Sequence, residues 1–513
     1  MLARIRRTIV SPKLTMRQLS KSKLIAHRQC PKRLWLELHR PELRDDSASE
    51  AVFRIGHEVG EVARKVYDPE GTGTVIEIGE IGYAEAFRRS AQILKTGEGP
   101  IFEAGFRIDG ALAFADVMLP VVSCGDLSWR MLEVKSTTGV KDYHRDDLAI
   151  QTHLATRMGV RLDSVGLAHI DNSFVYPGEG DYRGLFHEVD LTEETRFRGI
   201  EVEEWIADAQ TSAALPSEPE IAMGPQCSDP FHCSFSAYCG RDRVEAEYPL
   251  TSLPSLRQER RAMIEALGIT DLREVPDEQL SATQLWVKEV TLSGETWFDA
   301  EGASAALAPH GFPAWFLDFE TVSLAVPVWK GTRPYQQIPF QFSLHRLDED
   351  GSPGHEAFLD LSGEDPSESL AQTLVAECGT DGPVYVYNAG FERRVIRELG
   401  ERFPALATSL QAINERLVDL LPIAKAHFYH PSQHGSWSLK AVLPAACPEL
   451  SYDSLDGVAD GNMAVDAYRE AIAKDTLPER RDAIERELLN YCHLDTLAMV
   501  RLWELFRGEG ARG

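Results

Sequence analysis

Between residues 100 and 135 apolar and polar positions alternate as they do on half-buried strands: PIFEAGFRIDGALAFADVMLP, a turn-rich SCGDLS, then SWRMLEVKST. The run predicts paired strands. RDDLAIQTHLATRMG follows, with apolar Leu148, Ile150 and Leu154 over a helix-length span. From about 246 to 308 the chain reads as a charged, mostly helical connector, clearest in SLRQERRAMIEALGI and SATQLWVKEV. A new unit starts abruptly with the strand-like run GFPAWFLDFETV. Strands (IPFQFSLHRL, PVYVYNAG) then alternate with helices (FERRVIRELGERF, DAIERELLNYCHLDTLAMVRLWELF), the pattern of an α/β domain. The expected organisation is a first domain over residues 1–245, a helical connector over 246–308 and a second domain over 309–513.

Composition narrows the class. Of 513 residues, 43% are hydrophobic and 26% charged, which excludes collagen-like and wholly disordered chains. No run approaches the ~18–20 apolar residues of a membrane span. The basic start lacks the apolar segment of a secretory signal, so a soluble, cytoplasmic protein is expected. The net charge of −27 disfavours non-specific coating of nucleic acid. Charge is uneven, however. Residues 1–44 hold twelve Lys or Arg, among them Arg4, Arg6, Arg7 and Lys13, against Glu37 and Glu42. Such an arm can contact phosphate or simply be solvated.

Eight cysteines in a chain of this length make no disulfide framework and suit a reducing cytosol. Cys124, Cys378, Cys447 and Cys492 are scattered and read as inert. Cys227, Cys233 and Cys239 instead recur at a six-residue step in PQCSDPFHCSFSAYCGRD. Three thiols in a loop want a fourth ligand. Cys30 in RQCPKR is the best candidate, since Cys-Pro at a helix start leaves the sulfur exposed. Four thiolates suit an iron–sulfur cluster or zinc. Wide, unequal spacing without tight C-x2–4-C pairs favours the cluster. Unrelated buried cysteines are the bland alternative.

Two acidic constellations carry chemistry. Asp116 is expected to end one strand, and Glu133-Val134-Lys135 the next. Glu133 and Lys135 lie two apart on a strand and share a face, which Asp116 can join. Two carboxylates hold Mg²⁺ or Mn²⁺, and a neighbouring Lys can orient a water or help deprotonate it. In the second domain Asp318 and Glu320 are again two apart on a strand. Tyr491 and Asp495 share a helix face at i and i+4. Asn388 and Glu392 sit where a strand turns into a helix, and Asp419 in ERLVDLLPIAK is a weaker ligand candidate. Singly, each piece is also an ordinary strand end or helix-face hydrogen bond.

The order Asp116…Glu133-x-Lys135 resembles the PD-(D/E)XK nuclease superfamily, in particular its RecB-like branch. There a Gln on the following helix joins the site, and Gln151 stands at that place; the usual aromatic four residues later is Ala155. The resemblance implies a cysteine before the nuclease core and three after it around a 4Fe–4S cluster, matching Cys30, Cys227, Cys233 and Cys239. A His ligand of many relatives has no clean match, and His57 reads as a helix-surface or packing residue. The second set resembles the DnaQ-like DEDD exonucleases of RNase H-like fold, in their Tyr-type form. It implies a metal pair on Asp318, Glu320, Glu392 and Asp495, with Tyr491 aligning water. Glu392 departs from the usual Asp.

Nearly the whole chain resembles a bacterial family of uncharacterised proteins fusing these two modules. RPYQQIPFQFSLH and HGSWSLKAVLP carry part of that likeness. The implied function is a metal-dependent nuclease on single-stranded DNA or DNA ends, beside a possible helicase partner. No Walker A sequence is present, so the chain has no P-loop motor of its own. An RNA-directed nuclease and a non-catalytic scaffold are the alternatives.

Overall fold

In the computed structural model, which describes residues 16–45, 50–242, 246–452, 455 and 457–508, the chain separates into two units. The first holds the described residues up to 242 together with 325–334; the second holds 246–324 and the described residues from 335 onward. Arg4, Arg6, Arg7 and Lys13 lie outside the described residues.

The first unit is built from β1 (Leu19–Ser20), α1 (Lys21–Gln29), α2 (Pro31–His39), α3 (Glu50–Tyr67), β2 (Thr74–Val75) and α4 (Ile78–Thr96). Next come β3 (Ile101–Ile108), β4 (Ala111–Ser123), β5 (Asp126–Lys135), α5 (Asp142–Arg157) and β6 (Leu162–Ile170). β7 (Phe186–Asp190), α6 (Thr192–Arg196), α7 (Gly199–Ala213) and the short α8 (Ser236–Gly240) close it. The sheet runs β2-β3-β4-β5-β6-β7, with β1 paired to β4. β3, β4 and β5 form an antiparallel meander, and α5 carries the chain over to β6, parallel to β5. Small Ala113 and Ala115 on β4 share one core with Trp129, Met131 and the α5 residues Leu148, Ile150 and Leu154. The Trp129 indole N–H donates to the Leu94 carbonyl at 3.0 Å, so its polar edge is satisfied inside that core.

The second unit opens with α9 (Gln258–Ala266), α10 (Ala282–Ser293), β8 (Trp297–Phe298) and α11 (Ala300–Leu307). β9 (Ala314–Ser323), β10 (Gln337–Leu347), β11 (Pro353–Leu359), α12 (Ser367–Glu377), β12 (Val384–Val386), α13 (Gly390–Arg402), α14 (Ala407–Glu415) and β13 (Leu417–Asp419) follow. Then come α15 (Leu420–His427), β14 (Phe428–Tyr429), α16 (Leu439–Ala446), α17 (Gly461–Ala471) and the long α18 (Pro478–Arg507). The main sheet has the order β11-β10-β9-β12-β13. β9 to β11 are antiparallel, and β12 and β13 join in parallel.

β9 is buried on both faces, which is why its run reads as almost continuously apolar. Ala314 and Phe316 pack against Met499 and Trp503 of α18, whereas Trp315, Leu317 and Phe319 pack against Leu370, Leu374 and Val395 on the other side. The two-residue period of a strand therefore puts Asp318 and Glu320 in the Ala314–Phe316 row. The stretch expected to act as a separate connector shares this core: Val287, Val290, Ala303 and Leu307 pack with Phe316 and Trp503. At the entry to β12 only glycine fits, since Gly382 has φ +81° and a Cβ there would meet the Pro313 carbonyl oxygen at 1.9 Å.

The structure is thus α/β in both units. Among the described residues no helix is long and apolar enough to cross a membrane.

Candidate functional site

The β4–β5 hairpin sets the first group of side chains. Val117 pairs with Leu132, so Asp116 and Glu133 face each other across the ladder. Asp116 lies in the middle of β4 rather than at its end, because the strand continues to Ser123. Glu103 stands at the corresponding place on β3, between the pairs Phe102–Val117 and Ala104–Ala115. Its φ of +60° is uncommon for a residue with a Cβ, a strain that persists where the surroundings hold a side chain in place. Glu103, Asp116, Glu133 and Lys135 line one cleft with Gly56, Gly60 and Arg64 of α3.

Glu133 is 1% exposed and fully engaged. Its Oε1 accepts from Lys21 Nζ and Lys135 Nζ, each at 2.6 Å, and its Oε2 accepts from Gln151 Nε2 at 2.6 Å. Burial alone would raise its pKa, but Lys135 and Lys21 override that and hold it well below the carboxylate range. Lys135 also donates to Asp147 Oδ2 at 2.9 Å. Against the pull of burial, Asp147 and Glu133 keep Lys135 well above its ordinary value. A lysine so held is a cation, which suits orienting a water or balancing charge. Asp116 accepts from the Val134 N–H at 2.7 Å, and burial and Glu133 push it up to about 8. Gln151 is fully buried and holds Glu133; its own Oε1 has no partner.

His57 is 70% exposed beside Glu61 on α3, outside this cleft. Of the eight described cations of the basic stretch, Lys21 is engaged by Glu133, Lys23 and Arg33 by Glu37, Arg28 by Asp146 and Lys32 by Glu218, whereas Arg17, Arg40 and Arg44 are exposed.

Cys30, Cys227, Cys233 and Cys239 are free thiols lining one pocket with Leu36, Phe235, Ile221 and Met223. Cys30 is the N-cap of α2, with Pro31 in its first turn and no side-chain cap bond, so its sulfur is left available. The Cys233 N–H donates to the Cys227 carbonyl at 2.8 Å, which folds the loop back on itself, and Cys239 sits on α8 rather than in loop.

In the second unit one ligand oxygen from each of Asp318, Glu320 and Asp495 falls within 4.8 Å of the others. Tyr491 and Asp495 come from one face of α18, and the Tyr452 hydroxyl donates to Asp495 Oδ1 at 2.5 Å. Burial together with Asp495, Glu320 and Glu392 raises Asp318 well above the carboxylate range. Burial and Asp495 push Glu320 up to about 8. Burial lifts Asp495 to about 6, with Tyr452, Lys440 and Tyr491 opposing. Glu392, 3% exposed on the first turn of α13, reaches about 8 through burial, and its Oε2 has no hydrogen-bond partner.

Asp419 does different work. Its oxygens accept from the backbone N–H groups of Asn388, Ala389 and Leu421 at 2.9–3.0 Å. That clamps the strand-to-helix turn at Asn388, whose φ is +75°, and so aims Glu392. Burial and Asp495 raise Tyr491 far above its ordinary value, so it is a neutral hydroxyl.

Cys492, read as inert, packs its sulfur 4.0 Å from Asp318 Oδ2. Lys440, inside the WSLKAVL segment, lies 5.1 Å and 5.0 Å from the Tyr452 and Tyr491 rings. Lys21, Glu103, Asp147, Tyr452 and Lys440 escaped the sequence reading. Of these only Glu103 had a signal: it and Asp116 are equidistant from the Asp109–Gly110 turn.

A protein-family model described as a domain of unknown function (DUF2779) matches residues 315–438. The match takes in Asp318, Glu320, Glu392 and Asp419 and stops before Tyr452, Tyr491 and Asp495. Among curated proteins no match to the chain was found.

The raised carboxyls make stability depend on pH. Without metal, the folded state keeps protons on Glu320 that an unfolded chain releases between its ordinary 4.5 and about 8. Glu392 and Asp116 act in the same direction. Stability from these groups is complete below the ordinary range and is lost as pH rises towards about 8. Melting curves in chelator should therefore show Tm falling across this window, with Mg²⁺ or Mn²⁺ restoring it most at the alkaline end. Asp318→Asn should flatten the fall. A metal-free Tm that holds or climbs through the window contradicts the assignment.

Proposed function

We propose that this protein is a two-site, metal-dependent nuclease that hydrolyses phosphodiester bonds in DNA. The observation that carries the reading is the convergence of Asp318, Glu320 and Asp495, with Glu392, whose Oε2 has no hydrogen-bond partner, acting on Asp318. Acids that raise one another's pKa form a donor set short of positive charge, which divalent cations would supply.

Topology supports a PD-(D/E)XK-type core in the first unit and an RNase H-like core in the second. The former would be the β3–β4–β5 meander with α5 crossing to a parallel β6. The latter would be the β11-β10-β9-β12-β13 sheet, in which β10 alone runs antiparallel to the other strands.

In the second unit Asp318, Glu320, Glu392 and Asp495 would hold Mg²⁺ or Mn²⁺. Such a pair, when bound, activates water and neutralises charge on the scissile phosphate. Tyr491, a neutral hydroxyl hydrogen-bonded to Asp495, aligns the attacking water and accepts no proton from it. Asp419 acts through the backbone by fixing the start of α13. In the first unit Asp116 and Glu133 would hold the metal. Lys135, kept protonated, stabilises the charge that develops on the phosphate oxygens. Gln151 and Lys21 hold Glu133 in position.

Cys30, Cys227, Cys233 and Cys239 would carry a 4Fe–4S cluster that ties the start of the unit to its end. The wide, unequal spacing of these cysteines along the chain, without tight C-x2–4-C pairs, favours the cluster over zinc. Protein purified without oxygen should hold about four irons per chain. Cys30→Ala or Cys233→Ala should lose the iron and lower Tm. Zinc in place of iron would refute the cluster.

The activity is tested with single-stranded DNA labelled separately at each end, and with matched RNA, in Mg²⁺ or Mn²⁺. Lys135→Ala and Asp318→Ala should each remove a different product ladder, at least about a hundredfold in rate, and the double variant should remove all cleavage. If wild type and the double variant are equally inert on DNA and RNA, the enzymatic reading fails. Cleavage confined to RNA would reassign the substrate.

A further inference from the structure

Apart from the acidic residues, the second unit assembles another ligand-bearing group that the nuclease reading does not use. His345 on β10, His355 on β11 and His493 on α18 each bring one imidazole nitrogen within 4.8 Å of the other two. Two of them are cross-strand partners, since His345 pairs directly with His355 in the β10–β11 ladder. Their ring centroids are 4.4 Å apart, and His493 stands over both at 4.7 Å and 4.4 Å. Three residues far apart in sequence thus reach one point from two strands and a helix.

The donor geometry is that of a metal site. His493 Nδ1 lies 3.2 Å from His355 Nε2. Two nitrogens on a tetrahedral zinc at ~2.05 Å stand about 3.3 Å apart. The orientation of His345 is set from behind. Its Nδ1 is 2.8 Å from the Thr496 hydroxyl, which itself donates to the Cys492 and His493 carbonyls. Thr496 thus engages Nδ1, and Nε2 is the nitrogen left to ligate. Ser343 Oγ sits 2.9 Å from His355 Nε2 and 2.6 Å from Thr496 Oγ1, adding a polar neighbour in the same network. His345 is buried, His493 half-buried and His355 exposed, so an ion can enter from the His355 side and keep a water there. Burial and the adjoining rings lower His345 to about 3 and His355 to about 4, so both are neutral imidazoles under physiological conditions.

We propose that His345, His355 and His493 form a transition-metal site of the zinc class, with solvent completing the coordination. Its place in the fold gives it a use. His493 lies between Tyr491 and Asp495 on α18, while His345 lies two residues beyond Ser343, the β10 partner of Asp318. A metal here pins α18 to the β10–β11 hairpin and fixes the register that brings Asp495 to Asp318. The site rests on its own donors and stands whether or not the protein cleaves nucleic acid.

Co²⁺ titration of the full chain tests this, with Mg²⁺ in excess to occupy the carboxylates. Cobalt on imidazole and water gives visible bands without the sulfur-to-metal charge transfer of a thiolate site. Wild type and Cys233→Ser should both take up one such ion. His355→Ala and His493→Ala, both partly solvent-exposed positions, should bind it about a hundredfold more weakly or not at all while keeping the wild-type circular dichroism. Uptake that is unchanged in both histidine variants overturns the site, as does wild type that shows only a thiolate-type spectrum or no uptake.

Discussion

Burial of several carboxyl groups at one place, with repulsion on Asp318 and Glu320 added to it, is the constraint around which the second unit is organised. Asp318 and Glu320 continue an apolar row of β9 into the interior, where Asp495 meets them from α18 and Glu392 from α13. Lys440 acts on Glu320 and Asp495, and it opposes their shifts without reversing them. A fold gains nothing by burying four acids together unless something else supplies the charge. The first unit meets the same difficulty differently. Lys21 and Lys135 both sit on one oxygen of Glu133, so only Asp116 and Glu103 are left with raised pKa values. One site is therefore largely balanced by protein cations, whereas in the other the carboxyls stay raised.

Supporting contacts are arranged to hold these groups rather than to react. Asp419 uses backbone N–H groups to fix the turn that starts α13, and Gln151 and Asp147 brace Glu133 and Lys135. Tyr452 donates to Asp495 and restrains its carboxylate. The thiol pocket brings Cys30 together with cysteines some two hundred residues later in the chain.

What was legible in the sequence followed from short periods. The two-residue spacing of a strand paired Asp318 with Glu320 and Glu133 with Lys135; the four-residue spacing of a helix paired Tyr491 with Asp495. The Cys-Pro helix start likewise marked Cys30. What the sequence hid depended on tertiary approach. Lys21 reaches Glu133 only because β1 pairs with β4 and delivers α1 to the site. The three histidines meet only through strand register and the docking of α18. Cys492 looked inert because its neighbour Asp318 lies 174 residues away. Asp419 was a weaker ligand candidate in the sequence; its clamp on Asn388 and Ala389 is a backbone contact that no side-chain pattern encodes.

The central claim is that the carboxyls of the second unit are kept protonated until a divalent cation replaces their protons. Calorimetric titration of Mn²⁺ near neutral pH, in buffers of different ionisation enthalpy, measures that exchange directly. The account predicts proton release on Mn²⁺ binding, and a clear loss of both binding and release in Asp318→Asn. Mn²⁺ binding without proton release, or uptake indifferent to Asp318→Asn, would contradict it.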